Sequence, residues 1–500
     1  MKKVLSVAAM RAADKFTIRE RGVPSQTLME RAGRAIADAA ENILRERGGR
    51  TVLAVCGGGN NGGDGFCAAR LLEERGYACA VYCIADRLSE DCRIQREKYG
   101  GRQLSRFPSE KYDLVIDALA GTGFSGAPRG ALADAIEKIN GSSAFVLCAD
   151  IPSGLNGDTG TCVSCVRGDY TVAVGYLKPG LLLSDGADVC GRLAAADIGI
   201  ELPASCGFAS LFEGSDFARL FPPRKKNSNK GDYGRAAVLA GSYLYSGAAL
   251  LSASAALRAG CGYVRLAVPD SLYPHYIGRL PEAILTAAPA KDGFFHFDET
   301  FLSGLCAASD AIAFGMGCGA GEETYQIAAY LLKHFSGTLV LDADALGALS
   351  KFGKEILREK AGPVILTPHL KEFSRLAGIS VDAVRAGGVS LAENFAKEYG
   401  VTLLLKSNAS IIADGTHTAI NTAGSPALAK GGSGDALSGI VCALAARGVC
   451  AFDAAACGGY LLGRSGELAA EKYGEYGTVA TDVIASLPLA IREIISHGRD

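Results

Sequence analysis

Short apolar segments alternate with longer segments of helical periodicity along most of this chain. A buried parallel strand is apolar on both faces, and the connection to the next parallel strand is usually a helix. The alternation therefore predicts parallel sheets covered by helices, which is the α/β fold class. Residues 205–229 contain a Pro-Pro pair and a basic Asn/Ser-rich stretch, which predicts a join between two domains.

The first half of the chain predicts one open sheet. Helical patterns are found at residues 11–47 and 66–75, and buried strands at 51–56, 78–84, 114–117, 144–149, 170–174 and 192–197. The succession of strand, glycine-rich loop, helix and strand is that of a Rossmann-like dinucleotide fold. Gly57, Gly59 and Gly62 satisfy G-x-G-x-x-G, but so glycine-rich a segment matches many patterns.

The second half predicts a larger doubly wound α/β domain. Its strands are predicted at residues 236–240, 264–268, 311–314, 339–341, 364–366 and 402–405, its hairpin at 411–413 with 416–420, and its last helices at 434–447, 453–472 and 480–494. Asp414-Gly415 supplies the turn residues of the hairpin.

Composition narrows the possible functions. The 500 residues carry a net charge of −2, with 49% hydrophobic and 21% charged residues, which describes a globular chain of more than one domain. The near-neutral charge and a single short basic cluster at residues 224–230 argue against a nucleic-acid binder. The N-terminal apolar run stops at Arg11, and glycine and serine interrupt the uncharged run at 236–257. We therefore expect a cytoplasmic protein without a membrane partner.

The 16 cysteines are scattered through apolar segments, which is typical of small buried hydrophobes in a reducing compartment. Cys162 and Cys165 form a C-x-x-C motif without a second pair. A structural role is therefore favoured over a zinc site.

A glycine-rich loop before Asp435 is the strongest candidate for chemistry. Gly431, Gly432 and Gly434 lack the side chains that would keep a ligand away from the backbone. An apolar run at helical spacing follows, so the loop lies at a helix N-terminus, where free N–H groups favour an anion. Lys430 adds positive charge, and Asp435 is placed to act as a base towards a hydroxyl. The alternative is that Asp435 only caps the helix.

Acidic residues end two predicted strands of the first half. Asp117 and Asp150 each follow a strand, and the carboxyl ends of parallel strands meet in one crevice. Each carboxylate alone could be a strand-end cap, but two of them with two glycine loops at one edge favour a site. Asn60 and Asn61 add carboxamides, which orient a polar ligand or donate oxygens to a hard cation.

Polar residues also gather at strand ends in the second half. They are the glycines of 315–319, Asp342 and Asp344, residues 367–369, and Lys406. His369 follows a buried strand and a proline and precedes a helix, a position that favours a functional role over a structural one.

Three motifs of the first half resemble the NAD(P)H-hydrate epimerase family: residues 60–65, Asp117 with residues 121–124, and residues 150–154. The resemblance covers residues 1–210. It implies a pocket for the damaged nicotinamide lined by Asn60, Asn61, Gly62, Gly63, Asp64, Gly121, Thr122, Gly123, Phe124, Ser125, Gly126 and Ala127. It also implies that Asn61, Asp117 and Ser153 hold a potassium ion and that Asp150 contacts the substrate as the acid/base.

Five segments of the second half resemble the ADP- or ATP-dependent NAD(P)H-hydrate dehydratase family, which has a ribokinase-like fold: 230–234, 315–319, 342–346, 367–369 and 431–435. The resemblance covers residues 215–498. It implies that the hydrate is faced by Ala248, Gly317, His369 and Asp435. It implies that the adenine nucleotide, with Mg²⁺, is faced by Lys406, Ser407, Asn408, Ala409, Ser410 and Gly434.

Together the two resemblances imply a bifunctional nicotinamide-nucleotide repair enzyme. Such an enzyme epimerises the R and S forms of hydrated NADH and NADPH (NADHX and NADPHX). It then dehydrates the S form with ADP or ATP and releases AMP or ADP and phosphate. Phosphorylation with Asp435 as base would convert the C6 hydroxyl into a better leaving group. We expect a homo-oligomer that binds these small molecules and no nucleic acid.

Two departures from the family patterns and two alternatives stay open. Residues 406–410 lack the glycines usual after the lysine, and Asn229 stands where a histidine is common. A ribokinase-like small-molecule kinase fused to a non-catalytic nucleotide-binding domain would use the same anion loop and base. An NAD-dependent dehydrogenase depends on the G-x-G-x-x-G motif alone and lacks a candidate hydride-acceptor site.

Overall fold

The computed structural model describes residues 1–497 and contains two compact units. The N-terminal unit is Lys3–Ala209, and the C-terminal unit begins at Ser210 and includes Met1–Lys2. The sequence predicts domains at 1–210 and 215–498, and residue 498 lies outside the described residues. Both units combine parallel strands with covering helices, so the predicted α/β class is confirmed.

The N-terminal unit is built around one parallel sheet. The short strand β1 (Lys2–Val4) precedes this sheet in the chain and is not part of it. The strands of the sheet are β2 (Thr51–Cys56), β3 (Ala78–Cys83), β4 (Arg102–Leu104), β5 (Leu114–Ala118), β6 (Phe145–Ala149), β7 (Tyr170–Val174) and β8 (Arg192–Ala196). Its helices are α1 (Val7–Arg19), α2 (Ser25–Arg47), α3 (Asn60–Glu74), α4 (Glu90–Lys98), α5 (Ala131–Asn140) and α6 (Gly186–Val189). The order β4-β3-β2-β5-β6-β7-β8 reverses direction between β2 and β5. Open α/β sheets bind ligands beyond the carboxyl ends of the strands at such a reversal.

Helix α3 begins at Asn60, earlier than the predicted start at residue 66. The glycines that predict a loop instead form the first turns of the helix, because they let its backbone press against the strands. A Cβ atom at Gly62 would lie 2.0 Å from the carbonyl oxygen of Gly57, and one at Gly65 would lie 2.6 Å from Cβ of Ala118. This close contact positions Asn60 and the residues after it at the carboxyl edge of the sheet.

The C-terminal unit contains the larger sheet. Its strands are β9 (Ala209–Leu211), β10 (Arg235–Leu239), β11 (Tyr263–Pro269), β12 (Ile284–Ala288), β13 (Ala290–Lys291), β14 (Phe294–Phe295), β15 (Ala311–Phe314), β16 (Thr338–Leu341), β17 (Val364–Leu366), β18 (Thr402–Leu405), β19 (Ser410–Ala413) and β20 (Thr418–Asn421). Its helices are α7 (Ser246–Arg258), α8 (Tyr273–Tyr276), α9 (Glu299–Ala307), α10 (Glu322–His334), α11 (Ala343–Phe352), α12 (Leu370–Ala377), α13 (Val381–Tyr399), α14 (Ser433–Ala446), α15 (Ala451–Gly477) and α16 (Ala480–His497).

From β9 on, the strand order in this sheet is β9-β20-β19-β18-β17-β16-β15-β10-β11-β12, and it reverses direction between β10 and β15. Pairing among these strands is parallel except at β18-β19 and β19-β20. The β19-β20 pair is the predicted antiparallel hairpin. The second hairpin strand begins at Thr418 instead of residue 416. The side chain of Asp414 accepts hydrogen bonds from the backbone N–H groups of Thr416 and His417, which lengthens the turn.

Helix α14 lies at the centre of the C-terminal unit. It packs against α7, β10, β15 and β16, and its residues from Ala436 to Ala446 are buried. A helix that is apolar on all sides belongs in a core. Small residues bring α14 and α7 together: a Cβ atom at Gly439 would lie 2.0 Å from the carbonyl oxygen of Ser252.

The cysteines are free thiols, and most of them are buried, as their apolar surroundings predict. The sulfur atoms of Cys162 and Cys165 are 3.3 Å apart. Within residues 1–497, no three His, Cys, Asp or Glu side chains are grouped as metal ligands. None of the helices described here has both the length and the hydropathy needed to span a membrane.

Replacing Gly439 with Ala is expected to destabilise the C-terminal unit by about 1–3 kcal/mol, because the new methyl group meets backbone and not a flexible side chain. Gly304→Ala is the matched control, since it also lies in a helix but has no neighbouring atom within 4 Å of the new Cβ. This control should be neutral or slightly stabilising because alanine favours helix. Urea unfolding of both variants measures the difference, and equal midpoints would contradict the packing argument.

Candidate active sites

The carboxyl ends of the N-terminal strands open into a cavity of about 600 Å³. Eight of the predicted pocket residues line it: Asn60, Asn61, Asp64, Gly121, Thr122, Gly123, Phe124 and Asp150. The other predicted residues lie outside the lining: Gly62, Gly63, Ser125, Gly126 and Ala127. Gly63 packs against Met29, where an added Cβ would lie 2.7 Å from the methionine methyl carbon.

Asp150 is held in place by a buried lysine. Its backbone has a φ of +68°, a left-handed conformation that aspartate tolerates better than most residues. The ammonium of Lys178 lies 2.5 Å from Oδ1 of Asp150 and 2.8 Å from the carbonyl oxygen of Val174, and Lys178 is 1% exposed. The N–H of Val174 donates to the same oxygen. A Cβ at Gly121 would lie 3.4 Å from Oδ2, so this second oxygen faces the cavity wall.

Two further carboxyl groups share this cavity. Asp64 is buried and Asp14 is partly buried, and both line the wall with Asp150. Burial, and then the charge of Asp150, raise the pKa of Asp14; the same causes raise the pKa of Asp64 well above its ordinary value. Lys178 opposes both shifts. A carboxyl with a raised pKa and a lysine-paired carboxylate therefore lie in one wall, which is an arrangement for proton transfer.

The predicted potassium ligands lie beside the cavity. Asp117 is fully buried and accepts hydrogen bonds from the hydroxyl and N–H of Ser153 and from the N–H of Leu119. Burial raises the pKa of Asp117 to about 6. Both amide atoms of Asn61 are buried without a hydrogen-bond partner among the described residues. An orphaned buried amide fits a cation that takes oxygen ligands.

In the C-terminal unit, Asp435 is the third residue of α14. Gly432 occupies the N-cap position with a φ of +96°, so the interpretation of Asp435 as the helix cap is wrong. Burial, followed by the charge of Asp342, raises the pKa of Asp435 to about 6, and Lys406 opposes this shift. The ammonium of Lys430 donates to the carbonyl oxygens of Tyr476 and Thr478, and the contribution of its charge to the loop stays a prediction.

Asp342 organises the polar groups below the start of α14. Its Oδ1 lies 2.9 Å from the ammonium of Lys406, and its Oδ2 accepts a hydrogen bond of 2.7 Å from the hydroxyl of Ser438. Asp342 is 1% exposed and Lys406 is partly buried. A Cβ at Gly434 would lie 3.4 Å from the Lys406 ammonium. This lysine therefore lies at the first turn of α14, where the helix already favours an anion.

The other predicted residues of this unit fall into two groups. Ala248 and Gly317 are neighbours, since a Cβ at Gly317 would lie 3.2 Å from Cβ of Ala248. His369 caps α12: its Nδ1 accepts hydrogen bonds from the N–H groups of Lys371 and Glu372. The observed role of His369 is therefore structural, and its contact with a hydrate stays a prediction.

Residues 406–410 form the short connection from β18 to β19. The N–H of Lys406 donates to the carbonyl oxygen of Pro368, which brings this segment beside His369. The hydroxyl of Ser407 donates to the carbonyl oxygen of Ala409, and Ala409 is buried. The Ala409 side chain is thus part of the core. Asn408 lies in this connection, and Ser410 begins β19.

Sequence reasoning missed three of these residues or left them without a role: Asp14, Lys178 and Asp342. A signal for Lys178 was present, because it is the one charged residue between Tyr170 and Leu183. A lysine in so apolar a run is buried, and a buried ammonium requires a carboxylate partner. Asp14 gave no comparable signal, since it lies in an ordinary amphipathic helix.

Two α/β units, each with a lysine–aspartate pair at the carboxyl edge of a parallel sheet, define a two-site protein of the small-molecule-binding α/β class. A family model described as YjeF-related protein N-terminus matches residues 25–180, and one described as NAD(P)H-hydrate dehydratase matches residues 236–489.

Relatives of similar length share this two-part order. The bifunctional NAD(P)H-hydrate repair enzyme of Thermofilum pendens is 35% identical over 98% of this chain and 97% of its own length. The enzyme of that name in Escherichia coli is 32% identical over 96% of this chain and 92% of its own length. This chain therefore belongs to the bifunctional NAD(P)H-hydrate repair enzyme family, as predicted. A solved structure of a hypothetical protein from Streptococcus mutans covers 57% of the chain with a TM-score of 0.50 and 23% identity, and shares the fold.

Replacing Asp435 with Asn is expected to stabilise the fold at pH 8 and to have little effect near pH 4. The pKa of Asp435 rises from 3.8 to about 6 on folding, so ionisation opposes folding as the pH rises through that range. The gain at pH 8 should be about 1–3 kcal/mol in the free energy of unfolding. Urea unfolding at both pH values measures it.

Asp382→Asn serves as the control, because this exposed aspartate lies in the first turn of α13. Loss of its charge removes a favourable interaction with the helix dipole, so a small destabilisation at pH 8 is expected. An Asp435→Asn variant that is no more stable than the wild type at pH 8 would contradict the assigned electrostatics.

Proposed function

We propose that this chain repairs NADHX and NADPHX in two steps. The N-terminal unit interconverts the R and S forms, and the C-terminal unit dehydrates the S form with ADP or ATP, releasing AMP or ADP and phosphate. Membership of the repair family supports this proposal, and so does the acidic group near a lysine–aspartate pair in each unit. The proposed setting is a homo-oligomer in the cytoplasm.

Asp150 is the proposed acid/base of the epimerase step. The hydrate has a hydroxyl at C6, next to the ring nitrogen, so its C–O bond can break when a proton reaches the departing oxygen. Lys178 and the N–H of Val174 hold Oδ1 of Asp150, which leaves Oδ2 to exchange the proton with that hydroxyl or with water. Asp64 lies in the same wall, and burial and the charge of Asp150 raise its pKa, so it is the proposed second proton-transfer group. Re-addition of water to the other ring face then inverts the centre.

Asp435 is the proposed base of the dehydratase step. It takes the proton from the C6 hydroxyl while that oxygen attacks the terminal phosphorus of ADP or ATP. The N–H groups at the start of α14, with Lys406 beside Gly434, stabilise the charge on the transferring phosphoryl group. The ring nitrogen then expels phosphate to give a ring iminium ion, and loss of a proton from C5 to water restores the reduced nicotinamide. A pKa of about 6 keeps Asp435 ionised near neutral pH and still basic enough to accept the proton.

Magnesium is proposed to accompany the nucleotide, where it neutralises phosphate charge when bound. Oxygen ligands suit Mg²⁺, and three carboxylates gather at this end of the sheet. Two of them already have partners: Asp342 with Lys406 and Ser438, and Asp344 with the N–H of Gly319. The residues therefore fit an ion held mainly by the phosphates and water, which leaves Asp435 to act as the base.

Two single substitutions separate the proposed steps. Asp150→Asn should slow conversion of R-NADHX by about 10²–10⁴-fold and leave dehydration of purified S-NADHX unchanged, because only the acid/base of epimerisation is lost. Asp435→Asn should slow recovery of NADH from S-NADHX by about 10²–10⁴-fold and leave epimerisation unchanged. Recovery of NADH absorbance with ADP or ATP and chromatography of the two epimers provide the measurements.

Asp86→Asn is the control for loss of a carboxylate outside the two sites, since Asp86 is exposed, and it should leave both rates unchanged.

No NADH recovery by the wild-type protein with either nucleotide would refute the repair function. Accumulation of a stable phosphorylated product would instead identify a kinase. Equal turnover of R-NADHX by the wild type and Asp150→Asn would show that the N-terminal unit is not the epimerase.

Potassium is proposed to bind Asn61, Asp117 and Ser153. It should raise the thermal unfolding midpoint of the wild type relative to choline at equal ionic strength, because a bound ion stabilises the folded state. Asn61→Ala should lose this shift, whereas Asn60→Ala should keep it, since Asn60 is exposed. Differential scanning fluorimetry measures the shift. An equal response to potassium in Asn61→Ala and wild type would exclude Asn61 as a ligand.

A further inference from the structure

A second large cavity, of about 910 Å³, lies in the C-terminal unit at the opposite end of α14 from Asp435. Arg447 ends α14, and the segment before β10 forms one wall. Since α14 has 14 residues, Arg447 and Asp435 are separated by most of its length, about 20 Å. The cavity therefore lies away from the proposed dehydratase site, and it is of a size that holds a small organic ligand.

Asp232 and Tyr233 also line this cavity. They belong to the 230–234 segment, one of the motifs that resemble the dehydratase family. This segment is a short 3₁₀ helix in front of β10, at the amino edge of the sheet. Neither residue is used by the proposed chemistry at the carboxyl edge.

Four cationic side chains line the cavity: Arg224, Lys225, Arg258 and Arg447. Arg447 donates to the carbonyl oxygens of Leu220 and Ala259, and Arg224 donates to that of Gly260. No carboxylate pairs with either guanidinium among residues 1–497.

The two arginines are close enough to repel each other. Burial and then the charge of Arg224 lower the pKa of Arg447. Their carbonyl contacts neutralise part of the negative end of α7, but a guanidinium has more N–H donors than these bonds use. Asp232 is the acidic group in the lining, and its Oδ2 already accepts from the N–H of Asn229. Two adjacent, incompletely paired guanidinium groups favour a bound anion.

The rest of the lining is apolar. It includes Phe221, Val449, Ile491 and Ile495, with three prolines at 222, 223 and 488. Tyr233 lies between the two kinds of surface, with the guanidinium of Arg224 3.9 Å from its ring centre. A simple inorganic anion would leave this apolar wall uncovered, so an anion with an apolar or aromatic body fits better.

We propose that this cavity binds a small soluble organic phosphate, with the phosphate on Arg224 and Arg447 and the organic body on Phe221, Val449 and Ile491. Guanidinium groups match phosphate because its oxygens accept paired N–H bonds, and two guanidiniums can share the oxygens of one phosphate. The site is separate from the repair chemistry and does not depend on it.

The chain contains no tryptophan, so one introduced indole reports on this cavity alone. The reporter is Tyr233→Trp, which keeps an aromatic ring beneath Arg224. AMP is expected to change its fluorescence saturably, with adenosine and inorganic phosphate each binding about tenfold more weakly or worse. AMP affinity should also fall as salt is raised. A full-length Tyr330→Trp protein is the control, because Tyr330 does not line the cavity.

Arg224→Gln in the Tyr233→Trp protein should weaken AMP binding at least about tenfold, since Gln can still donate a hydrogen bond to the Gly260 carbonyl but lacks the charge. Arg447→Lys is the second variant. It keeps the charge and should weaken AMP binding less than Arg224→Gln does. Both should retain wild-type dehydration rates. The proposal is overturned if AMP does not change the Tyr233→Trp signal, if adenosine binds as tightly as AMP, or if Arg224→Gln leaves AMP affinity unchanged.

Discussion

A lysine–aspartate pair sets the electrostatics of each site. Moving an ammonium out of water costs several kcal/mol unless a carboxylate compensates, so the buried Lys178 requires Asp150, and the partly buried Lys406 is paired with Asp342. The carboxylate of each pair raises the pKa of a further aspartate, Asp64 in one unit and Asp435 in the other, and the lysine opposes this shift. The proposed proton-transfer groups therefore depend on where these two pairs are held.

The sequence predicted most of the fold because unbroken apolar runs mark central parallel strands. It missed β4 and β12, which lie at sheet edges and have partly exposed residues that do not form such runs. The early start of α3 depends on the carbonyl of Gly57 and could not be inferred from local sequence. Motif spacing predicted the family and eight of the residues that line the N-terminal cavity. The partnership of Lys178 with Asp150 needed the three-dimensional arrangement, because the two belong to different elements.

Glycines shape both sites by allowing close backbone contact more than by making flexible loops. Gly62 and Gly65 let α3 approach β2 and β5, and Gly439 lets α14 approach α7. In α3 this contact holds the helix start at the carboxyl edge of the sheet, whereas in α14 it fixes the packing of two helices. The side chain of His369 has a different role, because it accepts hydrogen bonds from otherwise unpaired N–H groups at the start of α12. A position at a strand end therefore does not by itself distinguish a residue that faces the opening from one that caps a helix.

The burial of the thiols determines how fast oxidants and alkylating agents modify this protein in solution. Burial raises the pKa of Cys56, Cys148 and Cys442 well above the ordinary thiol value, so almost none of their sulfur is thiolate at neutral pH. Oxidants and alkylating agents react with the thiolate, and these sulfurs are also shielded from solvent. Modification must then wait for the surrounding core to open. The rate at which each cysteine is labelled therefore measures the rate of local unfolding around it, and both units contain such cysteines.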